Sequence, residues 1–231
     1  MAHVELIAEV SSNHGGDVAL AKEFIWRFAE AGADWIKFQT TRVRHLNPTD
    51  PQYEWFRQVE LSDEAHWELK DACEHAGVKF LTTVYNKAEV PFLAGLRLAA
   101  IKIGSGEAGE DALVRVVTHA GFPRVFISDG LRVPKGFVHE RLRCISRYPA
   151  PHGCVPTTFY PRYVGWSDHC CGLASCQVAI IRGATVIEKH VQLPQQARPC
   201  RTYEATVEEF KELRRMADED PTRFLGRWQY A

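Results

Sequence analysis

Short strand-like runs alternate with helical segments along this chain, and this alternation limits its fold more than any other feature. Eight runs have the composition and spacing of strands. They span Val4–Val10, Asp34–Thr40, Val78–Val84, Ala99–Ser105, Arg124–Ser128, Arg141–Tyr148, Tyr163–His169 and Thr185–Val191. Strict strand–helix alternation is typical of parallel α/β proteins. Eight such strands predict one (β/α)8 TIM-barrel domain over residues 1–231.

Helical patterns fill most of the intervals between these strands. They cover Val18–Ala31, Asp63–His75, Lys87–Gly95, Asp111–Ala120, Gly172–Arg182 and Val207–Met216. The helix at Asp63 follows a Ser62 cap and ends before Gly77. A long polar loop is expected between the second strand and this helix.

The pattern breaks on both sides of the sixth strand. The interval before it has room for one or two helical turns, and Pro134 and Gly136 interrupt them. The interval after it contains Pro149-Ala-Pro-His-Gly-Cys-Val-Pro156, which excludes a helix interior. We therefore predict a barrel whose helices 5 and 6 are shortened or missing.

The sixth strand itself supports this prediction. If Leu142, Cys144 and Ser146 face inward, Arg141 and Arg143 face outward. An outward arginine pair is unusual where a helix covers a barrel strand. The flank is therefore expected to be polar or covered by a partner subunit.

Composition narrows the classes of function. The net charge is −1, so nothing indicates a nucleic-acid or membrane surface. The start of the chain leads straight into a strand, and no long apolar run follows, so neither a signal peptide nor a spanning helix is expected. Seven cysteines without repeated spacing indicate reduced thiols and a cytoplasmic protein.

Two predicted strands end in a histidine. His169 closes Tyr163-Val-Gly-Trp-Ser-Asp-His169, and His190 closes Ala184-Thr-Val-Ile-Glu-Lys-His190. Ser167 and Glu188 lie two positions earlier, and therefore on the same face as the histidine that follows. The two imidazoles either hold a divalent metal at the barrel mouth or make ordinary strand-end hydrogen bonds.

Every predicted strand has a polar or charged residue near its carboxyl end, where TIM barrels carry their active sites. These residues are Glu9, Lys37, Gln39, Thr83, Lys102, Ser105, Ser128, Ser146, Ser167, His169, Glu188 and His190. Any one of them could be a solvated strand end. All of them together indicate a functional site.

Lys37 and Lys102 are the most informative of these residues. A lysine that points into a barrel needs an anionic partner. Two lysines with a ring of hydroxyls indicate a site for a small, multiply charged anion. The glycines of Ile103-Gly-Ser-Gly-Glu107 let backbone N–H groups approach a phosphate. A phosphorylated carboxylate suits this set, and a metal could polarise a second substrate's carbonyl.

Several motifs resemble the sialic acid (N-acetylneuraminate) synthase family, in order from about Leu6 to Phe210. They are Ile7-Ala-Glu-Val-Ser-Ser-Asn-His-Gly-Gly-Asp17, Gly32-Ala-Asp-Trp-Ile-Lys-Phe-Gln-Thr40, Glu60-Leu-Ser-Asp-Glu64, Lys102-Ile-Gly-Ser-Gly-Glu107, Tyr148-Pro-Ala-Pro151, Gly165-Trp-Ser-Asp-His169 and Val186-Ile-Glu-Lys-His190. The resemblance implies condensation of phosphoenolpyruvate with an N-acylmannosamine-type aldose or another small aldehyde. The products are phosphate and a nonulosonic acid.

The resemblance also implies roles for the site residues. Phosphoenolpyruvate would contact Lys37, Thr83, Lys102, Ser105, Ser128, Ser146 and Ser167. His169 and His190 would hold Mn²⁺ or Mg²⁺. Glu9, Gln39, Tyr148 and Glu188 would face the sugar and the reacting carbons, with Glu9 stabilising a cation or handling the proton. A homodimer is expected from the family and from the barrel flank whose helices are shortened or missing.

The chain departs from the family pattern at the sugar end. The family carries a C-terminal antifreeze-like domain that lends an arginine to the sugar site, and we expect a reduced member without it. Arg198-Pro-Cys200 stands where an acidic sugar contact is usual, and Ser128-Asp-Gly-Leu131 replaces a Ser-Thr-Gly-Met pattern.

Two alternative functions stay open. One is an aldolase or lyase with a Schiff base on Lys37 or Lys102. The other is a non-catalytic partner subunit that binds phosphoenolpyruvate or metal.

Overall fold

Eight parallel strands pair in chain order and close into a barrel, in a computed structural model that describes residues 3–129 and 140–219. The strands are β1 Glu5–Glu9, β2 Trp35–Thr40, β3 Lys79–Val84, β4 Ile101–Ile103, β5 Val125–Asp129, β6 Glu140–Cys144, β7 Gly165–Asp168 and β8 Val186–His190. Strand β8 pairs with β1 over the whole length of β1. The (β/α)8 prediction is therefore confirmed.

Helices connect most of these strands and cover the outside of the barrel. They are α1 Val18–Glu30, α2 Tyr53–Val59, α3 Asp63–His75, α4 Val90–Gly95, α5 Asp111–His119, α6 Ala174–Ile181 and α7 Val207–Asp218. The side chain of Asp17 caps α1, Ser62 caps α3, and Thr206 with Glu209 forms a capping box on α7.

The sequence prediction was wrong between β2 and α3, where α2 and a short 3₁₀ turn, Val43–His45, occupy the expected polar loop. Only Val59 of α2 is buried. A helix that buries so little leaves no apolar period in the sequence, which explains the miss.

The lower half of the barrel is filled by apolar side chains. The inner cluster contains Ile7, Trp35, Leu81, Ala100, Phe126, Leu142 and Val186. Trp35 and Phe126 pack edge to face with ring centroids 5.7 Å apart. Below them, Arg124 donates to both Glu5 and Glu140. These side chains fill the amino-terminal half of the barrel, and the polar cavity lies at the carboxyl ends of the strands.

The helix that would follow β6 is missing as predicted, since residues 145–164 between β6 and β7 contain no helix. The interval predicted for helix 5, with Pro134 and Gly136, lies at 130–139, outside the described residues. Val155 and Phe159 pack into the outer core instead of a sixth helix. Leu142 faces inward as predicted, and Arg143 is half-buried.

Strand β6 ends at Cys144 and not at Tyr148 as predicted. Ile145 and the residues after it leave the ladder, and Ser146 and Tyr148 are exposed. All seven cysteines are free thiols. Across residues 3–129 and 140–219, no helix combines the length and the apolar character needed to cross a bilayer.

Candidate active site

A polar cavity of about 200 Å³ opens at the carboxyl ends of the strands. All but one of the predicted site residues line it: Glu9, Lys37, Gln39, Thr83, Lys102, Ser105, Ser128, Tyr148, Ser167, His169, Glu188 and His190. The exception, Ser146, lies at its edge and donates a hydrogen bond of 2.7 Å to Ser105 Oγ. The structure therefore gathers the predicted set in one place.

Strand register explains why these side chains converge. Glu9 pairs with Lys37 of β2 on one side and with His190 of β8 on the other. Ser167 pairs with Glu188 in the same way. Partners in register point to the same face of a sheet, so each pair delivers both side chains to the cavity.

The ammonium of Lys37 is the centre of a buried charge network. Its Nζ lies 3.1 Å from Glu9 Oε2 and 3.5 Å from Glu188 Oε1. It also donates a hydrogen bond of 3.0 Å to Thr83 Oγ1. Burial opposes the charge, but Glu188 and Glu9 outweigh it and raise the pKa of Lys37. Lys37 is therefore a cation at neutral pH.

Lys102 has a weaker set of anionic contacts. Its Nζ donates to Ser128 Oγ at 2.6 Å and to the Ile103 carbonyl at 3.2 Å, and it lies 3.7 Å from Glu188 Oε2. Burial and the nearby Lys37 charge outweigh the attraction of Glu188 and lower the pKa of Lys102. The site thus holds two lysines of different basicity.

The two carboxyl groups differ even more. Burial raises the pKa of Glu9 to about 7, against the attraction of Lys37 and with the repulsion of Glu188. Burial also opposes ionisation of Glu188, but Lys102, Lys37 and a hydrogen bond from Ser167 lower its pKa to about 2. Ser167 Oγ donates to Glu188 Oε1 at 2.8 Å. Glu9 can therefore exchange a proton near pH 7, whereas Glu188 stays an anion.

The two histidines lie side by side at the cavity wall, with ring centroids 5.4 Å apart. His169 Nδ1 donates to the Ile145 carbonyl at 2.7 Å, which leaves its Nε2 as a free acceptor. Burial lowers the pKa of both imidazoles, so both are neutral at pH 7. His190 Nδ1 is buried without a hydrogen-bond partner.

Neutral imidazoles with open acceptor nitrogens suit a divalent cation. No cluster of three or more His, Cys, Asp or Glu side chains with metal-binding geometry occurs within 3–129 and 140–219. A cation held by His169 and His190 would therefore need further ligands from substrate or water. The residues fit the predicted metal, and its presence stays a prediction.

Several site residues were missed at the sequence level. Tyr85 and Glu107 also line the cavity, and burial raises the pKa of Glu107. A Cβ at Gly104 would lie 2.6 Å from Glu107 Oε2, so only glycine fits there without displacing that carboxylate. Tyr85 directly follows β3, and Glu107 lies four residues after the end of β4. Including the few residues after each predicted strand would have found both.

The Arg198-Pro-Cys200 segment lies outside the cavity lining. Neither Arg198 nor Cys200 lines the cavity. Arg198 Nε donates to Asn13 Oδ1 at 2.6 Å, and its Nη2 lies 3.6 Å from Glu204 Oε1. The segment ties the loop after β8 to the loop after β1.

The structure defines an α/β-barrel protein with a polar, charged cavity at the barrel mouth. Two lysines, several hydroxyl groups, two carboxyl groups and two imidazoles line this cavity. The chain belongs to the NeuB family, which matches residues 24–137 and 140–221. This membership agrees with the motifs found in the sequence.

Individual relatives extend the comparison. An uncharacterized protein of Methanocaldococcus jannaschii is 33% identical over 90% of this chain and 68% of its own length. The N,N′-diacetyllegionaminic acid synthase of Legionella pneumophila is 32% identical over 80% of this chain and 63% of its own length. The chain thus spans roughly two thirds of the length of these relatives.

A solved structure confirms the fold. The N-acetylneuraminic acid (sialic acid) synthetase of Leptospira borgpetersenii, in complex with citrate, superimposes with a TM-score of 0.85 at 22% identity. The superposition covers 99% of this chain and 87% of that one.

Proposed function

We propose that this protein condenses phosphoenolpyruvate with an aldose or another small aldehyde and releases phosphate, as nonulosonic acid synthases do. The observation that carries the proposal is the buried set formed by Lys37, Lys102, Glu9 and Glu188 at one cavity. Two cations suit a phosphorylated carboxylate. Two carboxyl groups whose pKa values are shifted in opposite directions suit a reaction that makes and removes positive charge. Relatives named as N,N′-diacetyllegionaminic acid synthases and a pseudaminic acid synthase support the same class.

The chain's own residues bind and orient phosphoenolpyruvate. Lys37 and Lys102 neutralise its phosphate and carboxylate. The hydroxyl groups of Thr83, Ser105 and Ser128 accept hydrogen bonds in the structure, so their own protons are available to its oxygens. Ser167 already donates to Glu188 and borders the substrate beside that carboxylate. Because Ser128 and Thr83 already hydrogen-bond the two ammonium groups, both lysines are held in place before the substrate arrives. Ser146 reaches the site through Ser105.

The reaction then needs a cation to be stabilised and a proton to be moved. C3 of phosphoenolpyruvate attacks the aldehyde carbon, the aldehyde oxygen takes the proton of Glu9, and positive charge is left on C2. Glu188, ionised at neutral pH, stabilises that charge. Water adds to C2, and the proton it loses passes to Glu9. The tetrahedral intermediate then expels phosphate, which takes the proton of the C2 hydroxyl as the C2 ketone forms.

Gln39 and Tyr148 orient the acceptor. Gln39 Nε2 donates to Glu9 Oε1 at 3.0 Å, and the Tyr148 ring lies against His169 with centroids 4.1 Å apart. A Mn²⁺ or Mg²⁺ ion at His169 and His190 would polarise the acceptor aldehyde. The site residues, the metal and a cytoplasmic homodimer are parts of this proposal.

Phosphate release tests the reaction class. Purified protein is incubated with phosphoenolpyruvate, Mn²⁺ and a panel of aldoses and small aldehydes, beside His169→Ala. We expect phosphate release that depends on one aldehyde and is lost in His169→Ala. Phosphoenolpyruvate binding without phosphate release across the panel would favour the non-catalytic partner subunit. Release that His169→Ala leaves unchanged would contradict the metal site.

The lowered pKa of Lys102 favours a second candidate, an aldolase or lyase that works through a Schiff base. A less basic amine is uncharged more often and can add to a keto acid's carbonyl, with loss of water. Borohydride would reduce that imine to a stable secondary amine. Trapping of pyruvate on wild-type protein but not on Lys102→Arg would support this candidate, and absence of trapping would contradict it.

A further inference from the structure

A second buried ion pair lies behind the two histidines, on the outer side of the sheet. Lys189 Nζ lies 2.5 Å from Asp168 Oδ2, and both side chains are at most 1% exposed. Asp168 and Lys189 are partners in the β7–β8 register. Each immediately precedes a cavity histidine, His169 or His190. Because side chains alternate along a strand, the pair points away from the cavity and cannot touch a ligand there.

Both members of this pair make further hydrogen bonds. Asp168 Oδ1 accepts from Trp166 Nε1 at 2.7 Å and from Ser175 Oγ at 2.6 Å. Lys189 also donates to the Cys170 carbonyl at 2.7 Å. One ammonium therefore holds the chain on both sides of His169, through Asp168 before it and Cys170 after it.

We propose that the Asp168–Lys189 pair positions the two imidazoles. It fixes the register of β7 against β8 at the residues next to His169 and His190. The hydrogen bond from Lys189 to the Cys170 carbonyl fixes the direction in which the chain leaves β7. Rearranging the pair would move both imidazoles relative to each other. Asp168 and Lys189 are thus positioning residues, and this inference rests on the metal-binding part of the proposed function.

Stability alone accounts poorly for this pair. A buried ion pair gains little over well-packed apolar side chains of the same size, because both charges must lose their hydration. Groups behind a metal ligand, by contrast, set its orientation and its affinity for the metal. The location of the pair, one residue before each histidine, fits the second role.

The double variant Asp168→Leu/Lys189→Met separates the two roles, since it removes both charges and keeps the volume. Mn²⁺ alone is the probe, titrated and followed by electron paramagnetic resonance. We expect a folded protein whose affinity for Mn²⁺ falls about 10- to 100-fold. Ile187→Val is the matched control, because Ile187 is buried on the outer side of the same strand and is not hydrogen-bonded to the pair. It should keep wild-type affinity.

A second measurement needs no metal. The imidazole ¹⁵N resonances of His169 and His190 report ring environment and hydrogen bonding. They should shift in the double variant and stay unchanged in Ile187→Val. If wild-type protein binds no Mn²⁺, the metal part of the proposed function fails, and the resonances still decide whether the pair positions the rings.

Ser175→Ala provides a milder test if the double variant does not fold. It removes one hydrogen bond to Asp168 and leaves the ion pair in place. We expect a smaller loss of Mn²⁺ affinity in the same direction. A folded double variant, or Ser175→Ala, with wild-type Mn²⁺ affinity and unchanged imidazole resonances would overturn the proposal.

Discussion

Glu9 and Glu188 share the ammonium of Lys37, at 3.1 Å and 3.5 Å, yet their pKa values move in opposite directions. Glu188 has a second cation, Lys102, and a hydrogen bond from Ser167. Glu9 accepts a hydrogen bond from Gln39 and is attracted by Lys37 and more weakly by Lys102, but burial and the repulsion of Glu188 outweigh these effects. Two carboxyl groups within one cavity thereby acquire different protonation states at pH 7, which is the usual arrangement for an acid–base pair.

Glu9→Gln should leave substrate binding in place and remove proton transfer. We expect kcat to fall about 10²- to 10⁴-fold, the usual contribution of a positioned acid or base. The glutamine side chain can still accept the hydrogen bond from Gln39. Steady-state phosphate release, with phosphoenolpyruvate affinity measured separately by calorimetry, checks this. A variant with wild-type kcat would exclude Glu9 as the proton acceptor.

The same substitution should change the pH dependence of stability. Glu9 carries a pKa raised from 4.5 to about 7, so the folded state binds more protons than the unfolded state between these values. The wild type therefore loses stability as pH rises through this range, by up to ~3 kcal/mol from this group. Glu9→Gln should flatten that decline in urea unfolding between pH 4.5 and 7. An unchanged slope would contradict the raised pKa.

Glu188→Gln should have the opposite pH signature. The pKa of Glu188 is lowered to about 2, so its contribution is present above pH 4.5 and is lost as pH falls towards 2. We expect a loss of ~3 kcal/mol at pH 7, because two buried lysines lose their shared anion. The deficit should shrink in acid. Glu68→Gln on the surface of α3 is the control and should cost about 0.5 kcal/mol or less.

Much of this site follows from strand periodicity alone. Side chains alternate with period two, so polar residues near the strand ends had to converge once eight strands closed into a barrel. The protonation states of Glu9 and Glu188 could not be predicted, because they depend on which of two lysines each carboxylate reaches. The Asp168–Lys189 pair was missed for a related reason. Both residues face outward, and only the β7–β8 register shows that they meet.

Metal addition should stabilise the folded protein through His169 and His190. A ligand at 100 times its Kd adds about 2.7 kcal/mol to the unfolding free energy. Mn²⁺ should therefore raise the Tm of wild-type protein, and EDTA should reverse the effect and stop phosphate release. His190→Ala should abolish the Tm shift. His75→Ala, an exposed position on α3, should retain it. An equal shift in both variants would place the metal elsewhere.

Phe159→Ala should destabilise the barrel where no helix joins β6 to β7. Phe159 is 1% exposed and packs into the outer core, within the irregular segment that joins β6 to β7. Its removal leaves a cavity that the neighbouring strands cannot fill, so we expect a loss of about 3–5 kcal/mol. Tyr160→Ala is a matched control, since Tyr160 is the next residue and is 86% exposed, and it should change stability by about 0.5 kcal/mol or less. Urea unfolding at pH 7 distinguishes them. Equal effects would mean that the segment 149–163 does not seal this flank, and that the outer face of β6 is protected by something else.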